Sequence, residues 1–186
     1  MAANQPPWPR EWLMTDERIG DQLWDVVESL PAGAGIVFRH YSLVQSQRLE
    51  LGAMLARRAK ERDLVLAVAG SRRLAETLDA AVVHNPDVSG SLPSSMAVHD
   101  EREARAAREA GAVLAFIAPV FLTRSHAGAP ALGTDRALAL ARIAGCPAIA
   151  LGGMDRLRFA QLESAHPGAF HGYAGIDCWL KNWIRT

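Results

Sequence analysis

The stretch Ala115-Phe-Ile-Ala-Pro-Val-Phe-Leu-Thr-Arg-Ser-His-Ala-Gly-Ala-Pro-Ala-Leu-Gly133, followed by Ala148-Ile-Ala-Leu-Gly-Gly-Met154, decides the fold. An apolar run opens into a loop of hydroxyls, histidine and glycine, and a helical stretch follows. A second apolar run then ends in a glycine pair before another helix. A parallel α/β barrel builds a small-molecule site in this way, from the loops that follow its strands.

The same alternation of apolar run and helical stretch extends from Trp12 to Trp183, which argues for a parallel sheet. Eight strands are expected, at 12–14, 35–39, 64–68, 80–84, 95–98, 113–118, 148–151 and 168–174. Between them, Leu51, Met54, Leu55 and Ala59 have the three-four spacing of a helix over 43–60. Asp100 is placed to cap a helix over 101–110, with Ala104, Ala107 and Ala110 on one stripe and Gly111 as its stop. Thr134 and Gly145 bracket a further helix, and Asp155 with Pro167-Gly168 another. The segment 85–94 carries Pro86, Gly90 and Pro93 without apolar periodicity, so the fourth helix is expected to be absent or a single turn.

That omission fits the length. The chain has 186 residues, whereas a complete (β/α)8 barrel usually has about 250 and seldom fewer than about 200. One barrel domain over 11–186 follows a Pro-rich extension over 1–10. The wall left thin by the missing helix makes a second copy of the chain a candidate partner.

Twenty basic and twenty acidic residues are interspersed and cancel, so no basic stripe exists to follow a nucleic acid. The first residues have neither a basic start nor an apolar core, and the longest apolar run, 110–122, is too short for a bilayer. Cys146 and Cys178 stand apart, as free thiols do in a reducing compartment. A cytoplasmic protein without membrane or nucleic-acid partners is expected.

In a barrel, residues at the carboxyl ends of strands read as functional. Arg39, His40 and Tyr41 follow strand two, His84 strand four, and His99 with Asp100 strand five. Thr123, Ser125 and His126 follow strand six, Gly152 and Gly153 strand seven, and Gly175 and Ile176 strand eight. A guanidinium at a strand end clamps an oxyanion, or forms an ion pair. Glycines before a helix let backbone N–H groups approach a phosphate, or permit a tight turn. Asp177 opposes a phosphate there, since a carboxylate at a helix start caps the same N–H groups and repels a dianion. Four histidines near one mouth, His40, His84, His99 and His126, also admit a transition-metal reading.

Pro119-Val120-Phe121-x-Thr123 and Leu151-Gly152-Gly153-Met154 resemble the thiamine phosphate synthase/TenI family, whose corresponding segments read Pro-Val-Phe-x-Thr-x-Thr-Lys and Ile-Gly-Gly-Met. The resemblance extends from Leu13-Met14-Thr15-Asp16 through Gly172-Tyr173-Ala174. It implies a single-domain barrel that binds a thiazole or thiamine phosphate. The family's Gln-x-Arg-x-Lys on strand two falls on Val37, Arg39 and Tyr41, so only the arginine matches. Its phosphate-binding Thr-x-Thr-Lys loop falls on Thr123, Ser125 and His126.

Family synthases hold Mg²⁺ with Asn-Asp after strand three and an acidic residue after strand four. Here Ala69-Gly70 stands at the first place and only Asp87 is available at the second. The TenI branch moves a proton on a thiazole without metal, and its Val-His-Ser-x-x-Glu-Ala resembles Val98-His99-Asp100-x-x-Glu103-Ala104, which points to His99 as catalytic residue. A TenI-like thiazole tautomerase without cofactor is the reading the resemblance favours. The alternatives are the synthase, which joins hydroxymethylpyrimidine diphosphate to thiazole phosphate and requires Mg²⁺, and a non-catalytic sensor or interaction protein.

Overall fold

Eight short apolar runs pair in sequence order and close on themselves. The computed structural model describes residues 8–123 and 130–180. The strands are β1 (Glu11–Met14), β2 (Gly35–Phe38), β3 (Val65–Ala69), β4 (Val82–His84), β5 (Ser94–Val98), β6 (Leu114–Ile117), β7 (Ala148–Leu151) and β8 (Gly172–Gly175). All are parallel, and β8 returns to pair with β1. The helices are α1 (Leu23–Ser29), α2 (Gln45–Glu61), α3 (Arg72–Thr77), α4 (Glu101–Glu109), α5 (Thr134–Ala144) and α6 (Arg156–Ala165). β2, β4 and β6 are buried along their whole length, as strands with a filled interior on one side and helices on the other must be.

Inside the barrel, Trp12 stands edge-on to Phe116 with ring centroids 5.6 Å apart, and both are fully buried. Trp12 pairs in register with Gly35, where an added Cβ would lie 2.2 Å from the indole. The indole therefore takes the room that a side chain on β2 would need. Trp179 donates Nε1–H to the Trp12 carbonyl at 3.2 Å and stacks on Tyr173. Trp12 and Trp179 thus pack at the β8–β1 closure. Trp183 lies outside the described residues. His171 Nε2 is 2.7 Å from the Trp8 carbonyl, and Trp8 lies just before β1.

Between β4 and β5 there is no helix. The connecting loop is held by Arg72, which is 5% exposed and donates from Nε to the Val88 carbonyl and from Nη1 to the Leu92 carbonyl, at 2.8 and 3.0 Å. Gly90 lies against the same side chain, leaving no space for a Cβ. An arginine from α3 does here what an amphipathic helix does elsewhere in the barrel.

Most element ends fall within two residues of expectation, and the starts of α5 and β8 have identifiable reasons for their shift. Thr134 begins α5 instead of capping it, because Leu132 and Gly133 donate their N–H groups to the Pro119 and Val120 carbonyls and put the turn on Gly133, at φ +74°. β8 begins at Gly172 and not at Gly168, since Ala169 closes a turn onto the His166 carbonyl first. α6 ends at Ala165 with His166 as its C-cap, directly before the Pro167-Gly168 pair expected to close it. Asp100 and Asp155 cap as expected, accepting from Glu103 N–H and Arg158 N–H.

Arg72→Ala strands two carbonyls of the β4–β5 loop and removes two charge-assisted hydrogen bonds. It is expected to lower stability by about 2–3 kcal/mol, measured as a shift of the urea midpoint by tryptophan fluorescence, with far-ultraviolet circular dichroism unchanged.

Candidate functional site

At the carboxyl ends of the strands a cavity of about 1060 Å³ opens. Arg39, Tyr41, His84 and His99 border it from β2, β4 and β5, and Thr123 from the loop after β6. Gly152, Gly153, Gly175 and Ile176 border it from β7 and β8. Ser125 and His126 lie outside the described residues.

The two glycines are close-packed as well as turning. A Cβ on Gly152 would fall 2.6 Å from Pro119, and one on Gly153 2.5 Å from the Leu122 carbonyl. Their φ values are +93° and +60°, in the region that favours glycine. Arg158, in the first turn of α6, donates to the Gly153 carbonyl and lies over the Phe121 ring at 5.4 Å. Its guanidinium is thereby held at the cavity edge. The start of α6 is less open to a ligand than its place suggests, because the buried Asp155 carboxylate already accepts the Arg158 N–H. Cationic side chains supply the positive charge there instead.

Among the described residues lining the cavity are four guanidiniums, Arg18, Arg39, Arg136 and Arg158, and one carboxylate, Asp177. Arg39 Nη2 lies 2.9 Å from Asp16, and Arg18 lies 3.1 Å from Asp177 and 3.6 Å from Asp16. The chain Arg39–Asp16–Arg18–Asp177 thus joins β2, β1 and β8. The expectation that Asp177 caps a final helix and repels a dianion is corrected. Its carboxylate is paired with Arg18, and the helical segment it opens is a single 3₁₀ turn, Asp177–Trp179. The balance of charge favours an anion.

The histidines divide. His40 does not line the cavity. Its backbone sits at φ +23° and its Nδ1 is 3.0 Å from the buried Thr15 hydroxyl, which also accepts the Arg39 N–H. Burial depresses its proton affinity. His84 is 3% exposed, with Nδ1 3.0 Å from Ser95 Oγ and its ring edge-on to Phe116. Burial first, then the charge of Arg39, then His99 push its pKa down to about 3, so this imidazole is neutral. His99 is half-exposed, and its Nδ1 lies 2.8 Å from Glu103 Oε2. No group of three metal-ligating side chains forms among the described residues, and the four-histidine reading loses His40 to the interior.

A hard divalent ion needs carboxylate oxygens, and the residues where the family holds Mg²⁺ do not fit one. At the end of β3 the Ala69 carbonyl accepts from Arg48 Nη2 at 2.6 Å, and Arg48 lies over the Tyr41 ring at 5.3 Å. Tyr41 in turn packs beside Gly70. A guanidinium and a phenol cover that strand end. Asp87, the one acidic candidate, is turned away and accepts the Arg72 N–H at 3.1 Å.

Arg18, Arg136 and Arg158 are site residues that sequence reasoning missed. Arg136 and Arg158 each occupy the first turn of the helix after a barrel strand. Extending the strand-end rule by one helical turn finds both.

The fold and site define a class: a closed parallel (β/α)8 barrel with guanidiniums lining its mouth. The model of the family described as thiamine monophosphate synthase matches residues 12–169, and the chain belongs to this thiamine phosphate synthase/TenI family. A thiamine-phosphate synthase of Haloarcula marismortui is 31% identical over 147 residues, an alignment covering 69% of each chain. The solved thiamine phosphate pyrophosphorylase from Pyrococcus furiosus superposes with a TM-score of 0.78 at 19% identity, covering 96% of this chain and 91% of that one. A 3-hexulose-6-phosphate synthase shares the fold at a TM-score of 0.57 and 13% identity, covering 89% of this chain and 88% of the other. No helix among the described residues is long and apolar enough to cross a membrane.

His84 binds a proton more weakly folded than unfolded, so its contribution to stability is full above about pH 6.5 and is lost as the pH falls from there toward about 3. His40 acts with the same sign. Between about pH 7 and pH 5 the folded state is expected to lose about 1–2 kcal/mol through His84. The urea midpoint should fall accordingly, and His84→Gln should flatten that fall.

Proposed function

We propose that this barrel binds a thiazole phosphate and moves a proton on its heterocycle without a metal, in the manner of a TenI-like thiazole tautomerase. The observation that carries the reading is one cavity holding four guanidiniums and the imidazole of His99, beside a β3 end that offers a divalent ion no carboxylate.

The phosphate is assigned to the β7–β8 side. There Arg158 and the Gly152-Gly153 backbone approach the cavity, and Arg18 offsets Asp177. A charge-assisted guanidinium–phosphate contact is about twice as strong as a neutral hydrogen bond, which suits Arg158 to anchor the anionic end. The heterocycle then extends toward β4 and β5, where His84 offers a neutral hydrogen-bonding group and His99 a base. His84 suits an uncharged heteroatom better than a second anion.

A second reading, the synthase, is favoured by the name of the Haloarcula relative and its 31% identity. That reaction joins a pyrimidine diphosphate to the thiazole phosphate with release of pyrophosphate.

Calorimetric titration with thiazole phosphate tests the first reading. Binding that is unchanged by EDTA and weakened roughly 10- to 100-fold in Arg158→Ala is expected. Isomerisation of the thiazole, lost in His99→Gln, is the expected activity. Binding without turnover favours a sensor, and Mg²⁺-dependent pyrophosphate release favours the synthase.

A further inference from the structure

Glu103 makes more contacts than a helix start requires. Asp100 caps α4 by accepting the Glu103 N–H at 2.8 Å. The Glu103 side chain folds back over the cap, and its Oε2 accepts the His99 backbone N–H at 2.8 Å. These two bonds are the reciprocal pairing of a capping box, displaced by one residue. The third contact is different in kind. The same Oε2 lies 2.8 Å from His99 Nδ1, so one carboxylate oxygen holds both the backbone and the ring of His99.

We propose that Glu103 is a positioning residue that fixes His99 in the Nδ1–H tautomer and leaves Nε2 as the proton-carrying atom of the cavity. An ionised carboxylate only accepts. The ring nitrogen facing it must therefore carry a proton, and in the neutral ring the opposite nitrogen is the bare one. Glu103 Oε1 forms a longer ion pair with Arg102 Nη2 at 3.6 Å, on a well-exposed side chain, and leaves Oε2 to His99.

His84 lacks this arrangement. Its Nδ1 faces the Ser95 hydroxyl, which donates as readily as it accepts, and its surroundings exclude water. Of the two imidazoles that border the cavity among the described residues, His99 is the one with an anion behind it to accommodate a transient positive charge. The pair thus divides the work: His84 holds a neutral part of the ligand and His99 exchanges a proton with it.

The step this arrangement supports is a proton shift within one conjugated ligand, and it rests on the tautomerase reading above. Nε2 takes a proton from an acidic C–H, and the C–H electron pair enters the ring π system. The imidazolium, held by Glu103 and half-exposed so that its N–H exchanges with solvent, delivers a proton to another atom of that system, where a new bond to hydrogen forms. Atoms and electrons balance within the ligand. No oxidant, metal or second substrate takes part.

The test uses the full-length chain labelled with ¹⁵N-histidine, with the His99 signals assigned by their absence in His99→Gln. In the wild type, Nδ1 is expected at the protonated position and Nε2 at the unprotonated one. Glu103→Ala should shift this toward the Nε2–H form. Glu103→Gln keeps an acceptor for the His99 backbone N–H and is expected to preserve the fold. In the isomerisation assay it should lower kcat roughly 10- to 100-fold, the order found when the carboxylate that orients a metal-bound imidazole is removed, with KM within about twofold. A wild-type ring protonated at Nε2, or ring shifts unmoved in Glu103→Ala, overturns the assignment. If no substrate turns over, the tautomerase reading fails while the ring shifts still decide the role of Glu103.

Discussion

The pairing of β8 with β1 is the constraint on which the rest of the structure depends. Without it, eight strands of three to five residues form an open sheet whose carboxyl ends splay apart. With it, they converge. The closure is tight: Tyr173 donates its N–H to the Arg10 carbonyl at 2.7 Å, and a Cβ on Gly172 would fall 2.0 Å from that oxygen. Only glycine lets the two strands meet at this point. Trp12 and Trp179 then seal the seam from within and from the side.

Closure has an electrostatic consequence. It brings Asp177, at the end of β8, to Arg18, after β1, and the chain of ion pairs continues through Asp16 to Arg39 on β2. Each carboxylate is thereby matched where it stands, and Arg136 and Arg158 are left to set the sign of the cavity. Partial exposure makes the individual pairs weak as stabilising elements. Their importance lies in positioning. They hold guanidiniums at the mouth, where the described residues form no carboxylate set for a divalent ion.

The barrel was legible in the sequence because its signals are local. An apolar run bounded by glycine or proline marks a strand wherever the chain later goes, and Pro86, Gly90 and Pro93 forbid a helix between β4 and β5 without reference to any neighbour. The site was legible in part, through the rule that strand ends carry function: Arg39, Tyr41, His84, His99, Thr123 and the four residues after β7 and β8 do converge. What escaped depends on partners distant in sequence. His40 follows its strand as a site residue should, but the Thr15 hydroxyl, 25 residues away, draws its ring inward. Asp87 has the chemistry of a metal ligand and is taken by the start of α3, while Arg48 reaches from α2 to the end of β3. No spacing rule foretells such captures, since each is decided by where a side chain ends after the barrel has closed.

The central claim is metal-free proton transfer at His99 on an anchored phosphorylated heterocycle. It is tested most directly by incubating thiazole phosphate with the protein in D₂O containing EDTA and following the carbon-bound protons by NMR. The account predicts that deuterium enters a ring-adjacent or ring carbon position with the wild type and not with His99→Gln. Absence of exchange in EDTA, together with pyrophosphate release from hydroxymethylpyrimidine diphosphate once Mg²⁺ is added, would contradict it.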